Sequence, residues 1–119
     1  MILIVDDDPS FLETAREILN RTRQVFLASH SRQAFNLAKD LGFSVVLVDL
    51  DLKGQEGIAL IRKIRANVPG LPIIAISGVF QEHVLESART LGAAETLRKP
   101  IDSEWNAALS RLQPGNRAA

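Results

Sequence analysis

The stretch LIVDDDPS, residues 3–10, sets a short apolar run directly against three aspartates and a proline. A short, continuous apolar run is typical of a strand buried on both faces of a sheet. Asp8 and Pro9 are typical of a helix start, with Asp8 as the N-cap and Pro9 in the first helical position. Adjacent carboxylates repel one another, so this loop is either merely solvated or the place where a cation binds.

The same alternation continues along the chain. Short apolar runs rich in β-branched residues occur at Ile2–Val5, Val25–Ala28, Val45–Val48 and Ile73–Ile76, with a weaker one near Glu95–Leu97. Amphipathic stretches with helical spacing follow each run, at Phe11–Leu19, Ala34–Leu41, Leu60–Ile64, Val84–Leu91 and Trp105–Leu112. Strands that alternate with helices predict an α/β fold, a doubly wound parallel sheet with right-handed crossovers and helices on both faces.

Further helix boundaries can be predicted from single residues. Asp102 is a good N-cap for the last helix. Gly42 and Gly92 lie just past the second and fourth amphipathic stretches, where a residue with positive φ often ends a helix. The tail from residue 113 to residue 119 has no apolar periodicity, so we predict one domain over residues 1–112 and a disordered tail or the start of a linker over 113–119.

Composition excludes several classes of function. The 119 residues suit one domain, and 14 basic residues balance 14 acidic ones, which argues against a nucleic-acid arm or a polybasic membrane patch. Without cysteine there is no disulfide framework and no thiolate chemistry. The N-terminus does not resemble a signal peptide, and no stretch reaches the roughly 20 apolar residues of a membrane-spanning helix. We therefore predict a soluble, cytoplasmic domain.

Polar residues follow four of the predicted strands. Asp6 and Asp7 follow the first strand, Asp49 the third, Ser77 the fourth and Lys99 the fifth. Because the carboxyl ends of parallel strands share one edge of the sheet, where ligands bind in such folds, these groups should converge. Clustered carboxylates must protonate or acquire a cation, and oxygen ligands without His or Cys favour Mg²⁺ or Mn²⁺.

This set of groups suits phosphoryl transfer. Asp49 can act as the nucleophile and form an acyl phosphate, while Lys99 and the metal neutralise charge on the transferring group and Ser77 donates to one of its oxygens. Taken singly, each residue has a simpler explanation, because Asp and Ser are common turn formers and most lysines are solvated. Their placement at four strand ends favours the functional interpretation.

With these residues in place, the chain resembles the receiver domain of two-component response regulators. The resemblance extends from ILIVDDDPSFL through VDLDLKGQEG, AISG and GAAETLRKP to the KPI segment. It implies a flavodoxin-like strand order of 2-1-3-4-5. It also implies a phosphorelay function, in which Asp49 receives a phosphoryl group from a sensor histidine kinase or a histidine phosphotransfer protein.

The resemblance also implies roles for individual residues. Asp7 would bind Mg²⁺ directly and Asp6 largely through water, with Asp49 and the main-chain carbonyl of Asp51 completing the protein ligands. Ser77 and Lys99 would contact the phosphoryl oxygens.

Further implications concern activity and partners. The domain would not be an enzyme acting on a separate substrate, since it would catalyse only transfer to its own aspartate and autodephosphorylation. The phosphodonor would dock near the first helix around Phe11. An output domain or partner would use the face formed by the fourth helix, the fifth strand and the fifth helix.

Two alternatives stay open. A phosphatase of the haloacid dehalogenase type also uses an aspartate after a strand, with Ser/Thr, Lys and Mg²⁺, although it places its acid pair last and is usually longer. A binding-only receiver is the other alternative. Thr96 makes it plausible for output, because Thr96 stands where the family usually has Tyr or Phe, and whether this abolishes switching is open. The cognate kinase, the output and the oligomeric state cannot be read from the sequence.

Overall fold

The computed structural model describes residues 1–52, 56–78 and 82–112, in which strands and helices strictly alternate. The strands are β1 (Ile2–Val5), β2 (Val25–Ala28), β3 (Val45–Asp49), β4 (Ile73–Ser77) and β5 (Glu95–Arg98). The helices are α1 (Pro9–Leu19), α2 (Ser31–Asp40), α3 (Glu56–Asn67), α4 (Glu82–Leu91) and α5 (Ser103–Arg111). All strand pairings are parallel, in the order β2-β1-β3-β4-β5, which confirms the predicted fold and strand order.

Apolar residues on both faces of the sheet explain its central position. Every residue of β1, β3 and β4 is buried, as expected for strands covered by helices on either side. One hydrophobic cluster joins the sheet to α2, α3 and α4, and a second joins the opposite face to α1 and α5. Trp105 of α5 lies fully buried in the second cluster. The molecule is thus a three-layer sandwich, and the buried polar side chains of its described residues, Asp6, Asp49 and Ser77, lie at the carboxyl edge of the sheet.

Two predicted helix caps are confirmed and one predicted glycine role is wrong. Asp8 accepts a hydrogen bond from the Ser10 N–H at 3.0 Å, and Asp102 accepts one from the Glu104 N–H at 2.9 Å. Gly92 has φ +133°, which a side chain would strain. Gly42 does not have positive φ, because α2 ends through the extended Leu41 (φ −116°) rather than through a left-handed residue.

Three strands run one residue further than their apolar runs. Asp49 and Ser77 are therefore the last residues of β3 and β4 rather than the first residues of the following loops. Asp49 pairs in register with Ile76, and Ser77 pairs with Arg98. The sheet hydrogen bonding thus carries both polar side chains on rigid strand backbone.

Within the described residues, none of the helices is long and apolar enough to cross a membrane. The predicted tail, residues 113–119, lies outside the described part of the chain.

Candidate functional site

The carboxyl ends of β1, β3, β4 and β5 lie at one edge of the sheet. Val5, the residue before Asp6, pairs with Val48, the residue before Asp49, so these two aspartates lie level with each other. Ser77 ends β4 beside Asp49, and Lys99 follows β5, its N–H donating to the Ser77 carbonyl at 3.0 Å. The structure therefore brings together the site residues predicted from their positions after strands.

Three carboxylates form the centre of this site. One oxygen from each of Asp6, Asp7 and Asp49 lies within 4.8 Å of the others. Asp6 and Asp49 are buried, with relative exposures of 0% and 1%, whereas Asp7 is exposed. Carboxylates this close to one another repel, and two of them are buried, so the site favours the binding of positive charge.

Lys99 supplies part of that charge. Its Nζ lies 2.6 Å from Asp6 Oδ2 and 3.5 Å from Asp49 Oδ2. Partial burial alone would lower the pKa of Lys99, but the hydrogen bond to Asp6 and the charges of Asp49 and Asp6 outweigh it and raise that pKa. Lys99 is thus held as an ammonium between the two buried carboxylates.

Asp49 is the group whose ionisation is most perturbed. Burial, aided by the negative charge of Asp6, raises the pKa of the Asp49 carboxyl from 3.8 to about 6, against the opposing effects of Lys99 and the Asp51 N–H. That N–H donates to Asp49 Oδ1 at 3.0 Å and fixes the orientation of the carboxylate. Asp49 is therefore mostly ionised at neutral pH, and a carboxyl pKa perturbed this strongly is typical of functional sites.

The donor atoms fit a hard divalent cation. Asp6 Oδ2 is buried, and its contact with the Lys99 ammonium at 2.6 Å leaves lone pairs on this oxygen that can bind a cation. One ammonium cannot balance three carboxylates, and the ligating atoms are all oxygen, which suits Mg²⁺ or Mn²⁺. Asp6, Asp7 and Asp49 are the side chains that would hold the metal, which would supply Lewis-acid neutralisation of phosphoryl oxygens.

Asp51 reaches the site through its side chain as well. Its Oδ2 accepts a hydrogen bond from the Gly78 N–H at 3.0 Å and a longer one from the Ser77 hydroxyl at 3.4 Å. The Ser77 hydroxyl, which is predicted to donate to a phosphoryl oxygen, thus donates to the Asp51 carboxylate in this structure. The predicted role of the Asp51 main-chain carbonyl as a metal ligand stays a prediction.

Two contacts at the site were not predicted. The ring of Phe11, in the first turn of α1, lies under the Lys99 ammonium with Nζ 4.4 Å from its centroid. Gly57, in the first turn of α3, approaches β3 so closely that a Cβ there would lie 2.4 Å from the Asp49 carbonyl oxygen. In the sequence, Gly57 is marked only indirectly, as a glycine shortly after Asp49. No sequence pattern indicates that the ring of Phe11 contacts Lys99.

Thr96 lies away from the carboxylates, on β5. Its Oγ1 accepts a hydrogen bond from Arg89 Nη2 of α4 at 3.1 Å. A cavity of about 250 Å³ beside it extends between α4 and β5 toward Ser77. Residue 96, where the resembled family usually has Tyr or Phe, is thus polar and adjoins a cavity.

The raised pKa of Asp49 predicts a pH-dependent stability in the absence of metal. The folded protein binds the Asp49 proton more tightly than the unfolded chain, whose pKa is about 3.9, so this contribution to stability is present at low pH and is lost as pH rises through about 6. Relative to Asp49→Asn, the parent should lose about 1 kcal/mol of unfolding free energy between pH 5 and pH 7.5.

Urea unfolding in EDTA at the two pH values measures this loss. The exposed Asp40, at the end of α2, supplies the control Asp40→Asn, which should keep the parental pH dependence. Millimolar Mg²⁺ should restore stability at pH 7.5 by binding the folded state. Identical pH slopes for the parent and Asp49→Asn would contradict the burial argument.

Comparison with known sequences adds independent information. Residues 2–108 match the family model described as the response regulator receiver domain. The transcriptional regulatory protein ZraR of Escherichia coli is 31% identical over 102 residues, which are 85% of this chain and 23% of ZraR. Sporulation initiation phosphotransferase F of Bacillus subtilis is 26% identical over 102 residues, which are 85% of this chain and 82% of that protein. The chain thus spans less than a quarter of ZraR but most of the phosphotransferase.

Solved structures of receiver domains also superpose on this chain. A CheY-like response regulator receiver domain protein from Methanospirillum hungatei superposes with a TM-score of 0.82 at 25% identity, covering 93% of this chain and 94% of that one. The receiver domain of a sensor histidine kinase from Pseudomonas aeruginosa superposes with a TM-score of 0.84 at 28% identity, with the same coverage of the two chains. That structure holds a magnesium ion coordinated in its active-site cleft.

Proposed function

This chain belongs to the response regulator receiver domain family, and we propose that Asp49 is the residue on which it accepts a phosphoryl group. Receiver domains act in two-component systems, where phosphoryl transfer to an aspartate is their general function. The observation that carries the proposal is the position of Asp49, a buried carboxylate with a raised pKa at the centre of an acidic cluster and 3.5 Å from an ammonium. A haloacid-dehalogenase-type phosphatase is set aside, because the family match covers nearly the whole chain.

The transfer needs no general base. An oxygen of the ionised Asp49 attacks phosphorus, the bond from phosphorus to the donor atom breaks, and its electron pair leaves with the donor group. The product is an acyl phosphate on Asp49. Asp6 and Asp7, together with Asp49, would hold the divalent cation, which when bound would neutralise charge on the phosphoryl oxygens.

Lys99 and Ser77 act on the transferring group. Lys99 lies between Asp6 and Asp49 and moves its hydrogen bond from the Asp6 carboxylate to a phosphoryl oxygen. The Ser77 hydroxyl and the Gly78 N–H exchange the Asp51 carboxylate for a phosphoryl oxygen, a change of one anion for another. Charge-assisted hydrogen bonds to the new group thus replace those that hold the site together beforehand.

The domain turns over no separate substrate in this scheme. The acceptor is its own side chain, so the transfer is self-catalysed and stoichiometric. Water later hydrolyses the acyl phosphate, which releases inorganic phosphate and regenerates the Asp49 carboxylate. The donor is a histidine kinase or a histidine phosphotransfer protein, in keeping with the family. The face of α4, β5 and α5 serves an output domain or partner, and a cytoplasmic location stays a prediction.

Phosphoryl uptake tests the proposal directly. Incubation with acetyl phosphate and Mg²⁺ should add the mass of one phosphoryl group, and the gain should disappear in Asp49→Ala. The matched control is Asp40→Ala, which removes an exposed carboxylate far from the sheet edge and should leave the gain intact. Intact-protein mass spectrometry measures both.

Two outcomes would overturn the assignment. A gain that persists in Asp49→Ala would place the acceptor elsewhere. If the parent gains no mass and binds no beryllium fluoride in the presence of Mg²⁺, the domain is a receiver that only binds partners.

A further inference from the structure

An aromatic ring covers the Lys99 ammonium. Lys99 Nζ lies over the face of Phe11, 4.4 Å from the ring centroid, while also contacting the carboxylates of Asp6 and Asp49. An ammonium within about 6 Å of a ring face is attracted by the negative charge of the π-system. Phe11 lies in the first turn of α1 and is partly buried, so its ring contacts both the hydrophobic core and the Lys99 ammonium.

The ring is itself held in place by the core. Phe11 packs on Trp105 with centroids 6.0 Å apart and planes inclined at 56°, a favourable tilted arrangement. Trp105 is fully buried, and its Nε1–H donates to the carbonyl of Arg98, the residue before Lys99, at 2.8 Å. The same indole therefore orients the ring and anchors the backbone from which the lysine projects.

We propose that Phe11 is a positioning residue, whose ring keeps the Lys99 ammonium beside Asp49 while its hydrogen-bond partner changes. This role rests on the proposed function, in which Lys99 passes from Asp6 to a phosphoryl oxygen on Asp49. A lysine side chain has four flexible methylene groups, and an ammonium released from Asp6 would otherwise sample many rotamers. Contact with a ring face has no fixed hydrogen-bond direction, so it persists as the ammonium moves by an ångström or two.

A second lysine–aromatic pair elsewhere in the molecule provides a matched comparison. Lys63 Nζ lies 4.3 Å from the centroid of Phe35, and Lys39 Nζ lies 5.6 Å from it. This pair joins α2 and α3, away from the carboxylates, and Phe35 is partly buried like Phe11. Phe35→Leu thus removes a similar contact without touching the site.

Phosphorylation by a small donor separates positioning from docking. With acetyl phosphate and Mg²⁺, the rate of Asp49 phosphorylation should fall about 3- to 10-fold in Phe11→Leu, the rate factor that corresponds to the usual strength of an ammonium–ring contact. Phe11→Tyr keeps the ring and should stay within about 2-fold of the parent on the same grounds. Phe35→Leu should match the parent. Acetyl phosphate has no docking surface, so a loss of rate cannot come from a lost protein–protein contact.

The position of the ammonium can be read without any phosphorylation. In the parent, the ring current of Phe11 should move the ε-methylene proton resonances of Lys99 upfield. These resonances should return toward their free-chain position in Phe11→Leu and keep their shift in Phe11→Tyr. A merely structural effect of Phe11 on stability would leave this shift pattern unexplained.

The possible failures differ from one another. If the parent accepts a phosphoryl group and Phe11→Leu reacts at the parental rate, the positioning role is wrong and the proposed function stands. A rate loss that Phe11→Tyr shares with Phe11→Leu, or unshifted Lys99 resonances in the parent, would also overturn the role of the ring. If the parent itself takes up no phosphoryl group, the proposed function fails and this role fails with it.

Discussion

Lys99→Ala should slow phosphorylation of Asp49 by about 10²- to 10³-fold, the usual cost of removing one group that stabilises developing negative charge in a reaction. The ammonium is 3.5 Å from Asp49 Oδ2, on the side where phosphoryl oxygens would lie. Alanine also leaves Asp6 Oδ2 buried without its neighbouring cation. The phosphorylation rate of the variant should therefore depend more steeply on the Mg²⁺ concentration than the rate of the parent does, because the metal becomes the main source of positive charge.

Time courses with acetyl phosphate over a range of Mg²⁺ concentrations measure both effects. Lys39→Ala is the control, since it removes an exposed lysine from α2, and it should react like the parent. Lys99→Arg keeps the charge but spreads it over a planar group, so it should recover only part of the rate. A loss of less than about 3-fold in Lys99→Ala, far below the usual range, would mean that the ammonium serves only to neutralise the charges of Asp6 and Asp49.

Gly57→Ala should destabilise the fold by about 2–3 kcal/mol, in the upper range for a buried overpacking substitution. Its Cβ would lie 2.4 Å from the Asp49 carbonyl oxygen and 3.0 Å from the Leu50 Cα. Both neighbours are backbone at the end of β3, so neither can yield by a change of rotamer. The better helix propensity of alanine, roughly 1 kcal/mol, offsets part of the clash.

Urea unfolding at fixed Mg²⁺ measures this loss of stability. Gly70→Ala is a matched control, because nothing lies within 4 Å of a Cβ there and the residue does not have positive φ. Relief of the clash requires α3 and the end of β3 to move apart, and Asp49 is the last residue of β3, so its position changes. Phosphoryl uptake should therefore fall in Gly57→Ala as well. Equal stability of the two alanine variants would show that α3 and β3 separate freely.

The cluster of polar groups at the sheet edge could be predicted from sequence because strand order and strand direction suffice to locate its members. Asp6, Asp49, Ser77 and Lys99 stand at the ends of apolar runs, and parallel strands bring their carboxyl ends to one edge whatever the detailed packing. The caps at Asp8 and Asp102 were predictable for a similar reason, since they depend only on residues two positions away. Local chemistry and chain order are both present in the sequence.

Other features of the site depend on distances between elements, and these only the tertiary structure decided. The ring of Phe11 lies over Lys99 because α1 and α5 pack on the same face of the sheet and Trp105 fills the space between them. Gly57 is required because α3 approaches the last carbonyl of β3 more closely than any side chain allows.

Even the local prediction for Gly42 was wrong, because the chain leaves α2 in an extended conformation toward β3. The Asp51 carboxylate turns toward Gly78, a residue 27 positions later, where sheet register and not sequence spacing sets the distance. Residue type and order therefore determined which groups meet at the sheet edge. The packing of helices against the sheet decided how each group is oriented, because side-chain contacts across layers depend on the volumes and rotamers of residues far apart in the chain.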